Sequence, residues 1–153
     1  MNEPHCRLEA FRLEDVSSLI QAADPWSDEW TPQALRASLL AGHRGVVLLG
    51  GEAPLGYGVY RFLPDVMEIL NIAIFSHSRS KGYGRILIHS LEQMAAINGC
   101  KSMWLEVRAT NVAALALYRS CEFEMCGQRR QYYRCEDGSR ADAILMEKVF
   151  KQK

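Results

Sequence analysis

The strongest local pattern in the sequence is a glycine-containing turn that follows an apolar strand and precedes a long helix. The apolar run Val66–Phe75 predicts a central strand, and apolar residues at helical spacing predict a helix that ends at Asn98-Gly99. Glycine lets a backbone approach a ligand closely, and free N–H groups at a helix start favour a phosphate anion. The turn therefore predicts either a phosphate site or an ordinary strand-to-helix connection. Its sequence is Arg79-Ser80-Lys81-Gly82-Tyr83-Gly84-Arg85.

Two common nucleotide-binding motifs are absent from this turn. A dinucleotide fingerprint needs G-x-G-x-x-G after the first strand, and a Walker A loop ends in G-K-[S/T]. The sequence has neither pattern, although Arg79, Lys81 and Arg85 supply positive charge. The two common classes of nucleotide-binding loop are therefore excluded.

Short strands and helices alternate along the rest of the chain and predict an α/β fold of the α+β type. The predicted order is β-α-α-β-β-β-α-β-α-β-β. Because no segment repeats at a fixed period and no long linker interrupts the pattern, we expect a single domain over residues 1–153. The other predicted strands are Arg7–Phe11, Gly45–Leu49, Gly56–Phe62, Ser102–Val107, Phe123–Tyr132 and Ala141–Phe150, and the other predicted helices are Leu13–Ala22, Pro32–Leu40 and Asn111–Ser120.

Charge and cysteine content argue against several classes of protein. The 153 residues carry 18 basic and 18 acidic side chains, so the formal net charge is zero and offers no general attraction to nucleic acid or to a membrane. The five cysteines form no C-x-x-C pair, which argues against a disulfide framework and against a zinc site. No secretory leader and no long apolar segment occur, so we expect a cytoplasmic protein. Because the cysteine spacing offers no zinc site, we also expect no bound metal.

Two polar residues lie in apolar surroundings and are candidates for chemistry. Glu106 interrupts the strand Trp104–Arg108, and strand alternation directs its side chain away from its apolar neighbours, toward a solvated cleft or a partner cation. It could equally be an ordinary exposed glutamate on the face of a sheet. Tyr118 lies two turns into a helix that Asn111 caps. Helical spacing alone indicates a packed tyrosine at the edge of the core.

Six segments of the chain occur in an order that is typical of one family. They are Pro25-Trp26-Ser27, Asn71-Ile72-Ala73-Ile74, Arg79 to Gly84, Trp104 to Arg108, Asn111 to Tyr118 and Arg129-Arg130-Gln131-Tyr132-Tyr133. Together they resemble the GCN5-related N-acetyltransferase superfamily, and the resemblance extends from Arg7 to Phe150. It implies a mixed, mostly antiparallel central sheet flanked by helices, with acetyl-CoA in a V-shaped opening between two central strands.

The resemblance also implies a reaction and the residues that perform it. An acetyl group would pass from acetyl-CoA to the N-terminal α-amine of a protein, with the N-terminal alanine of a ribosomal small-subunit protein as the acceptor. Glu106 would be the general base and Tyr118 the general acid. Trp26, Tyr132 and Tyr133 would contact the acceptor peptide. The implied cofactor-binding residues are Ile72, Ala73, Ile74, Arg79, Ser80, Lys81, Gly82, Tyr83, Gly84, Arg85 and Asn111.

Two other functions stay open at this point. The chain could acetylate a different protein or a small amine, which only a panel of acceptors would distinguish. It could also be a module that binds acyl-CoA without catalysis. The presence of both Glu106 and Tyr118 argues against the second alternative, because a binding module has no need of two groups for proton transfer.

One position departs from the pattern of the family. Glu122 precedes Phe123, whereas the family commonly has glycine at this place after the tyrosine-bearing helix. If the backbone here has a positive φ, a residue other than glycine costs on the order of 1 kcal/mol. The sequence therefore predicts local strain immediately after the helix that carries Tyr118.

Overall fold

A computed structural model describes residues 5–16, 31–135 and 137–151. Most of the predicted helix Leu13–Ala22 and the predicted acceptor residue Trp26 lie outside these ranges, and of that helix the structure describes a short 3₁₀ turn at Leu13–Asp15. Among the described residues, no helix is both long and apolar enough to cross a membrane. The same residues contain no group of three or more side chains that could together hold a metal ion.

Seven strands and three α-helices make up the described part of the chain. The strands form one sheet in the order β1-β2-β3-β4-β5-β7-β6. The strands β4 and β5 are parallel, and the pairs β1–β2, β2–β3, β5–β7 and β6–β7 are antiparallel. The prediction of a mixed, mostly antiparallel sheet with helices is therefore confirmed. The elements are β1 Cys6–Phe11, α1 Pro32–Leu40, β2 Arg44–Gly50, β3 Ala53–Leu63, β4 Val66–Ile74, α2 Tyr83–Ile97, β5 Ser102–Arg108, α3 Val112–Ser120, β6 Glu124–Arg134 and β7 Arg140–Val149.

Most strand boundaries differ from the sequence-based prediction by one to three residues, and hydrogen bonds explain two of these differences. The strand β3 begins at Ala53 rather than Gly56, because its pairing with β2 continues past an irregularity at Leu48/Leu49 and ends only at Gly50↔Ala53. The strand β6 begins at Glu124 rather than Phe123, because the Phe123 N–H donates to the Tyr118 carbonyl at the end of α3. In both cases, backbone hydrogen bonding that the apolar pattern of the sequence does not encode determines where the strand begins.

The described chain divides into two compact units. The first comprises Met1–Arg61 and Leu70–Ser90, and the second comprises Phe62–Ile69 and Leu91–Lys153. The elements β3, β4 and α2 each contribute residues to both units. The assignment of residues 1–153 to a single domain stays a prediction.

Tyr57 lies at the centre of the core of the first unit. Its ring is 6.2 Å from that of Phe11 and 6.1 Å from that of Phe75, measured between ring centroids. Its hydroxyl accepts a hydrogen bond of 2.9 Å from the Asn71 side chain, which satisfies the one polar atom of a buried ring. Burial raises the pKa of Tyr57, so this hydroxyl stays protonated. The contact fixes Asn71 immediately before the predicted cofactor segment Ile72–Ile74.

Gly56 allows the strands β3 and β4 to approach each other closely. A Cβ atom at position 56 would lie 2.5 Å from the Ala73 carbonyl oxygen, which is closer than a carbon atom can approach. The neighbouring Leu55 carbonyl accepts a hydrogen bond of 2.9 Å from the Phe75 N–H. The sequence marked Gly56 only as the start of a strand, whereas the structure requires glycine there for the packing of β3 on Ala73.

The second unit contains a partly buried ion pair between a helix and a strand. Lys148 of β7 contacts the Glu92 carboxylate of α2, and the two side chains are only 15% and 17% exposed. The same ammonium group lies 3.5 Å from Glu122 Oε2. Lys148 therefore links β7 to the helix α2 and to Glu122, which lies shortly after the end of α3.

The end of α3 forms a Schellman motif around Glu122. The Glu122 N–H donates to the Arg119 carbonyl and the Phe123 N–H donates to the Tyr118 carbonyl, both at 3.0 Å. Glu122 has a φ of 71°, so the backbone at this position is left-handed, the geometry for which glycine is usually required. The condition for the strain expected from the sequence, a positive φ at Glu122, is therefore met, and the Tyr118 and Phe123 rings, 6.0 Å apart, make the apolar contact of this motif.

Replacing Glu122 with glycine is expected to stabilise the chain by about 1 kcal/mol, because glycine adopts a left-handed backbone without a steric penalty. The lost contact with Lys148 offsets little of this gain, since the Glu122 side chain is 81% exposed. Denaturant unfolding of the two proteins measures the difference. The matched control is Glu124→Gly in β6, where glycine weakens a strand and should lower the free energy of unfolding. A Glu122→Gly protein less stable than its parent would contradict the strain.

Candidate active site

The predicted phosphate turn connects β4 to α2 and contains two left-handed residues. Ser80 has a φ of 62° and Gly82 a φ of 85°, whereas Gly84 lies within the helix. Glycine adopts this conformation readily, whereas serine rarely does, so the residue type gives no sign of the one at Ser80. The Ile86 N–H donates to the Gly82 carbonyl at 3.3 Å, so the helix starts directly after the turn.

The turn can hold an anion at this helix start. The first N–H groups of a helix have no acceptor within the helix, and they carry a partial positive charge. Arg79 donates through Nε to the Ile74 carbonyl at 3.0 Å, and Lys81 donates to the His77 carbonyl at 3.5 Å. The two cations are therefore anchored on the segment between β4 and α2. Backbone donors and charged side chains together fit a pyrophosphate better than a neutral ligand.

Glu106 lies on the face of β5 opposite to its buried neighbours and is 28% exposed. Its Oε1 atom is 3.2 Å from Arg129 Nε, so the partner cation expected from the sequence is Arg129. The pairing of strands explains the contact: Glu106 lies opposite Leu145, Leu145 lies opposite Gly127, and Arg129 is two residues further along β6 on the same face. Glu106 Oε1 is a buried atom, and none of the described residues donates a hydrogen bond to it.

Tyr132 and Tyr133 lie beside this ion pair in the second unit. Their rings meet edge to face with centroids 5.1 Å apart. The Arg129 guanidinium lies 5.3 Å from the centre of the Tyr132 ring, and the Arg108 guanidinium lies 5.1 Å from the centre of the Tyr133 ring. The structure thus brings the predicted base and the two predicted acceptor residues into one cluster, and it adds two arginines to which the sequence assigned no function.

A local irregularity of β6 positions the side chains of Tyr132 and Tyr133. The pairing of β6 with β7 shifts between Arg129 and Tyr133, and Gln131 within the shift has a φ of 51°. Asp142 holds the irregular segment, since it accepts hydrogen bonds from the Gln131 N–H at 2.8 Å and from Gln128 Nε2 at 2.6 Å. These hydrogen bonds lower the pKa of Asp142, so its carboxylate stays ionised at neutral pH.

Tyr118 and Asn111 are both part of α3. Tyr118 is 9% exposed and packs against Phe123, which agrees with a tyrosine at the edge of the core. The Asn111 side-chain oxygen accepts a hydrogen bond of 3.1 Å from the Ala114 N–H and caps the helix, as its position predicts. The roles of Tyr118 as an acid and of Asn111 as a cofactor contact stay predictions.

Comparison with known proteins identifies the family. The model of the acetyltransferase (GNAT) family matches residues 10–123. The chain is 39% identical over 90 residues to the [ribosomal protein bS18]-alanine N-acetyltransferase of Escherichia coli, a match over 59% of this chain and 60% of that protein. It is 35% identical over 145 residues to the N-alpha-acetyltransferase RimI of Mycobacterium tuberculosis, which covers 92% of this chain and 86% of that protein.

The fold comparison agrees with the sequence comparison. The crystal structure of the ribosomal-protein-S18-alanine N-acetyltransferase from Escherichia coli superposes with a TM-score of 0.83 at 26% identity, over 97% of this chain and 96% of that one. The predicted resemblance and the predicted fold are both confirmed. The chain therefore belongs to the acetyltransferase (GNAT) family, whose enzymes transfer acetyl groups from acetyl-CoA.

Proposed function

We propose that this chain transfers the acetyl group of acetyl-CoA to the N-terminal α-amine of a protein, and that the acceptor is the N-terminal alanine of a ribosomal small-subunit protein. The observation that carries the proposal is the cluster of Glu106, Arg129, Tyr132 and Tyr133 on one face of the sheet. It combines a carboxylate with aromatic walls suited to a narrow peptide end. The names of the relatives from Escherichia coli and Mycobacterium tuberculosis support an α-amine as the acceptor.

The first unit supplies the residues for acetyl-CoA. The turn Arg79–Arg85 would bind the pyrophosphate through the start of α2 and its cations, and the backbone of Ile72–Ile74 would hold the pantetheine arm and the thioester carbonyl. Two observations support the assignment of the turn. Ser80 and Gly82 have a left-handed backbone, and Arg79 donates a hydrogen bond to the Ile74 carbonyl, which keeps this cation at the turn. We also assign Asn111, a residue of the second unit, to the pantetheine arm. Acetyl-CoA is the only cofactor the reaction requires.

The second unit supplies the groups that move protons. A peptide α-amine has an ordinary pKa of about 7.7–8.0, so only modest help from a base is needed to supply the neutral amine near pH 7. Glu106 would accept that proton, directly or through water. Tyr118 would then donate its hydroxyl proton to the departing CoA thiolate. Direct transfer of this kind needs no cysteine nucleophile, and the buried Cys121 beside the tyrosine helix has a packing role.

Two further assignments belong to the same proposal. We place the reaction in the cytoplasm, where a ribosomal acceptor is made, and we treat residues 1–153 as one acetyltransferase domain. Trp26 would complete the acceptor site, on a segment outside the described residues. The reaction involves no nucleic acid and no membrane, since the acceptor is a protein terminus.

Incubation of the purified protein with acetyl-CoA and a peptide that begins with the ribosomal alanine tests the proposal. We expect the mass of the peptide to rise by one acetyl group. A peptide of the same sequence with a blocked N terminus and a peptide of scrambled sequence serve as controls. An unchanged peptide mass, in a preparation that is folded and binds acetyl-CoA, would contradict acetyl transfer to this terminus. Equal acetylation of the scrambled peptide would contradict the choice of ribosomal acceptor.

A further inference from the structure

Arg129 connects the predicted base to the predicted peptide-binding wall. Its contact with Glu106 is made by Nε, and the carbon of its guanidinium lies over the Tyr132 ring. A guanidinium has five N–H donors, four of which belong to the two Nη groups at the end of the side chain. The Arg129 side chain is 56% exposed. The Nη groups are therefore not used by the contact with Glu106 and belong to an exposed side chain beside the base.

We propose that Arg129 is a specificity-determining residue that binds the first carbonyl oxygen of the acceptor peptide through its Nη groups while its Nε stays against Glu106. This inference rests on the proposed function, because it takes Glu106 as the group that receives the proton of the amine. Its consequence is a preference for the α-amine of a peptide over the ε-amine of a lysine side chain.

Covalent geometry gives the reason for this preference. In the first residue of a peptide, the amine nitrogen and the carbonyl oxygen are three bonds apart and lie about 3 Å from each other. In a lysine side chain, four methylene groups and the Cα atom separate the amine from the nearest carbonyl, a span of about 6 Å or more when extended. A guanidinium that already touches the base can therefore reach the carbonyl oxygen of an N-terminal residue. It cannot reach the nearest carbonyl oxygen of a lysine residue whose side-chain amine lies at the base.

The surroundings of Arg129 hold it in place for this contact. The contact of its guanidinium with the Tyr132 ring, 5.3 Å from the ring centre, restrains the end of the side chain. The hydrogen bond from the Gln131 N–H to Asp142 fixes the irregular backbone segment next to Arg129. Glu106 Oε1 is buried beside Arg129 Nε, whereas the Glu106 side chain as a whole is 28% exposed, so the exposed part of the carboxylate is the part that faces an approaching amine.

Three acceptors separate this role from a general effect on the base. The first is a peptide that begins with alanine. The second is the same peptide with a γ-amino acid as its first residue, which keeps a primary amine and moves the carbonyl two methylene groups further away. The third is an N-terminally blocked peptide with one internal lysine. The ratio of kcat/KM between the first acceptor and the other two measures the preference, and changes in the base itself cancel from that ratio.

The variant Arg129→Gln is expected to lower kcat/KM for the alanine peptide by about 10- to 100-fold more than for the γ-amino peptide, as the loss of a hydrogen bond to a charged donor predicts. Arg129→Lys, which keeps the charge but not the fork, should lose a smaller part of the preference. Arg130→Gln, at the exposed neighbouring arginine, is the matched control and should leave the ratio unchanged. Acetyl-CoA binding and thermal unfolding verify that each variant is folded.

Equal losses on all acceptors, or an unchanged ratio in both Arg129 variants, would overturn the role of Arg129 and leave the proposed function intact. A parent enzyme that acetylates the lysine peptide as well as the alanine peptide would overturn the preference itself. If the parent enzyme acetylates no peptide while it binds acetyl-CoA, the proposed function fails instead.

Discussion

The variant Glu106→Gln is expected to turn over about 100- to 10,000-fold more slowly than the parent at neutral pH, because an amide of the same shape cannot accept the proton of the attacking amine. Acetyl-CoA affinity should stay nearly the same, since the residues assigned to the cofactor do not include Glu106. Steady-state kinetics with the acceptor peptide measure the first quantity, and titration calorimetry with acetyl-CoA measures the second.

The control for this experiment is Glu124→Gln. Glu124 is an exposed glutamate on β6, so its substitution removes the same charge without touching the Glu106 cluster. We expect it to retain the turnover of the parent. Equal turnover in Glu106→Gln and the parent would show that Glu106 is not the base and is only the partner of Arg129. A loss of acetyl-CoA affinity that matches the loss of turnover would indicate a binding role instead.

Tyr118→Phe is expected to reduce turnover by about 100-fold or more, because phenylalanine cannot protonate the departing thiolate. The free energy of unfolding should change by only about 1 kcal/mol, the usual net contribution of one hydroxyl hydrogen bond. The ring contact with Phe123 and the backbone hydrogen bonds of the Schellman motif do not depend on the hydroxyl. Single-turnover kinetics and thermal unfolding give the two quantities.

Tyr60→Phe is a suitable comparison for the tyrosine variant. Tyr60 is 5% exposed in β3, outside the residues assigned to the reaction, and its variant should keep the turnover of the parent. If Tyr118→Phe unfolds more easily while its folded fraction turns over at the parent rate, Tyr118 has only a packing role. If Tyr60→Phe loses as much turnover as Tyr118→Phe, the effect belongs to general loosening of buried tyrosines.

Local patterns predicted the elements of the fold because apolar spacing directly reflects which face of an element is buried. The alternation in Trp104–Arg108 placed Glu106 on the face opposite to its apolar neighbours, and the structure agrees. The same alternation could not identify Arg129 as its partner. That contact depends on the pairing of β5, β7 and β6 across three strands, which no pattern within one strand contains.

Backbone conformation was predictable only where a residue type demands it or a family comparison marks it. Gly82 has the positive φ expected of a glycine in a turn, but Ser80 has one as well and its residue type gives no sign of it. Glu122 stood out only because a related sequence would have glycine there. The left-handed Gln131 had no such signal, since the hydrogen bond from its N–H to Asp142 joins two different strands.

The irregular stretch of β6 also affects how this protein behaves in concentrated solution. The strand β6 lies at one end of the sheet order, so no strand among the described residues pairs with its outer backbone groups. A regular, flat strand of this length would be a template for aggregation. The shifted pairing after Arg129 and the left-handed Gln131 bend the backbone out of the geometry that a second strand needs. The distortion that begins beyond Arg129 thus also makes this edge of the sheet a poor partner for a strand of a second chain.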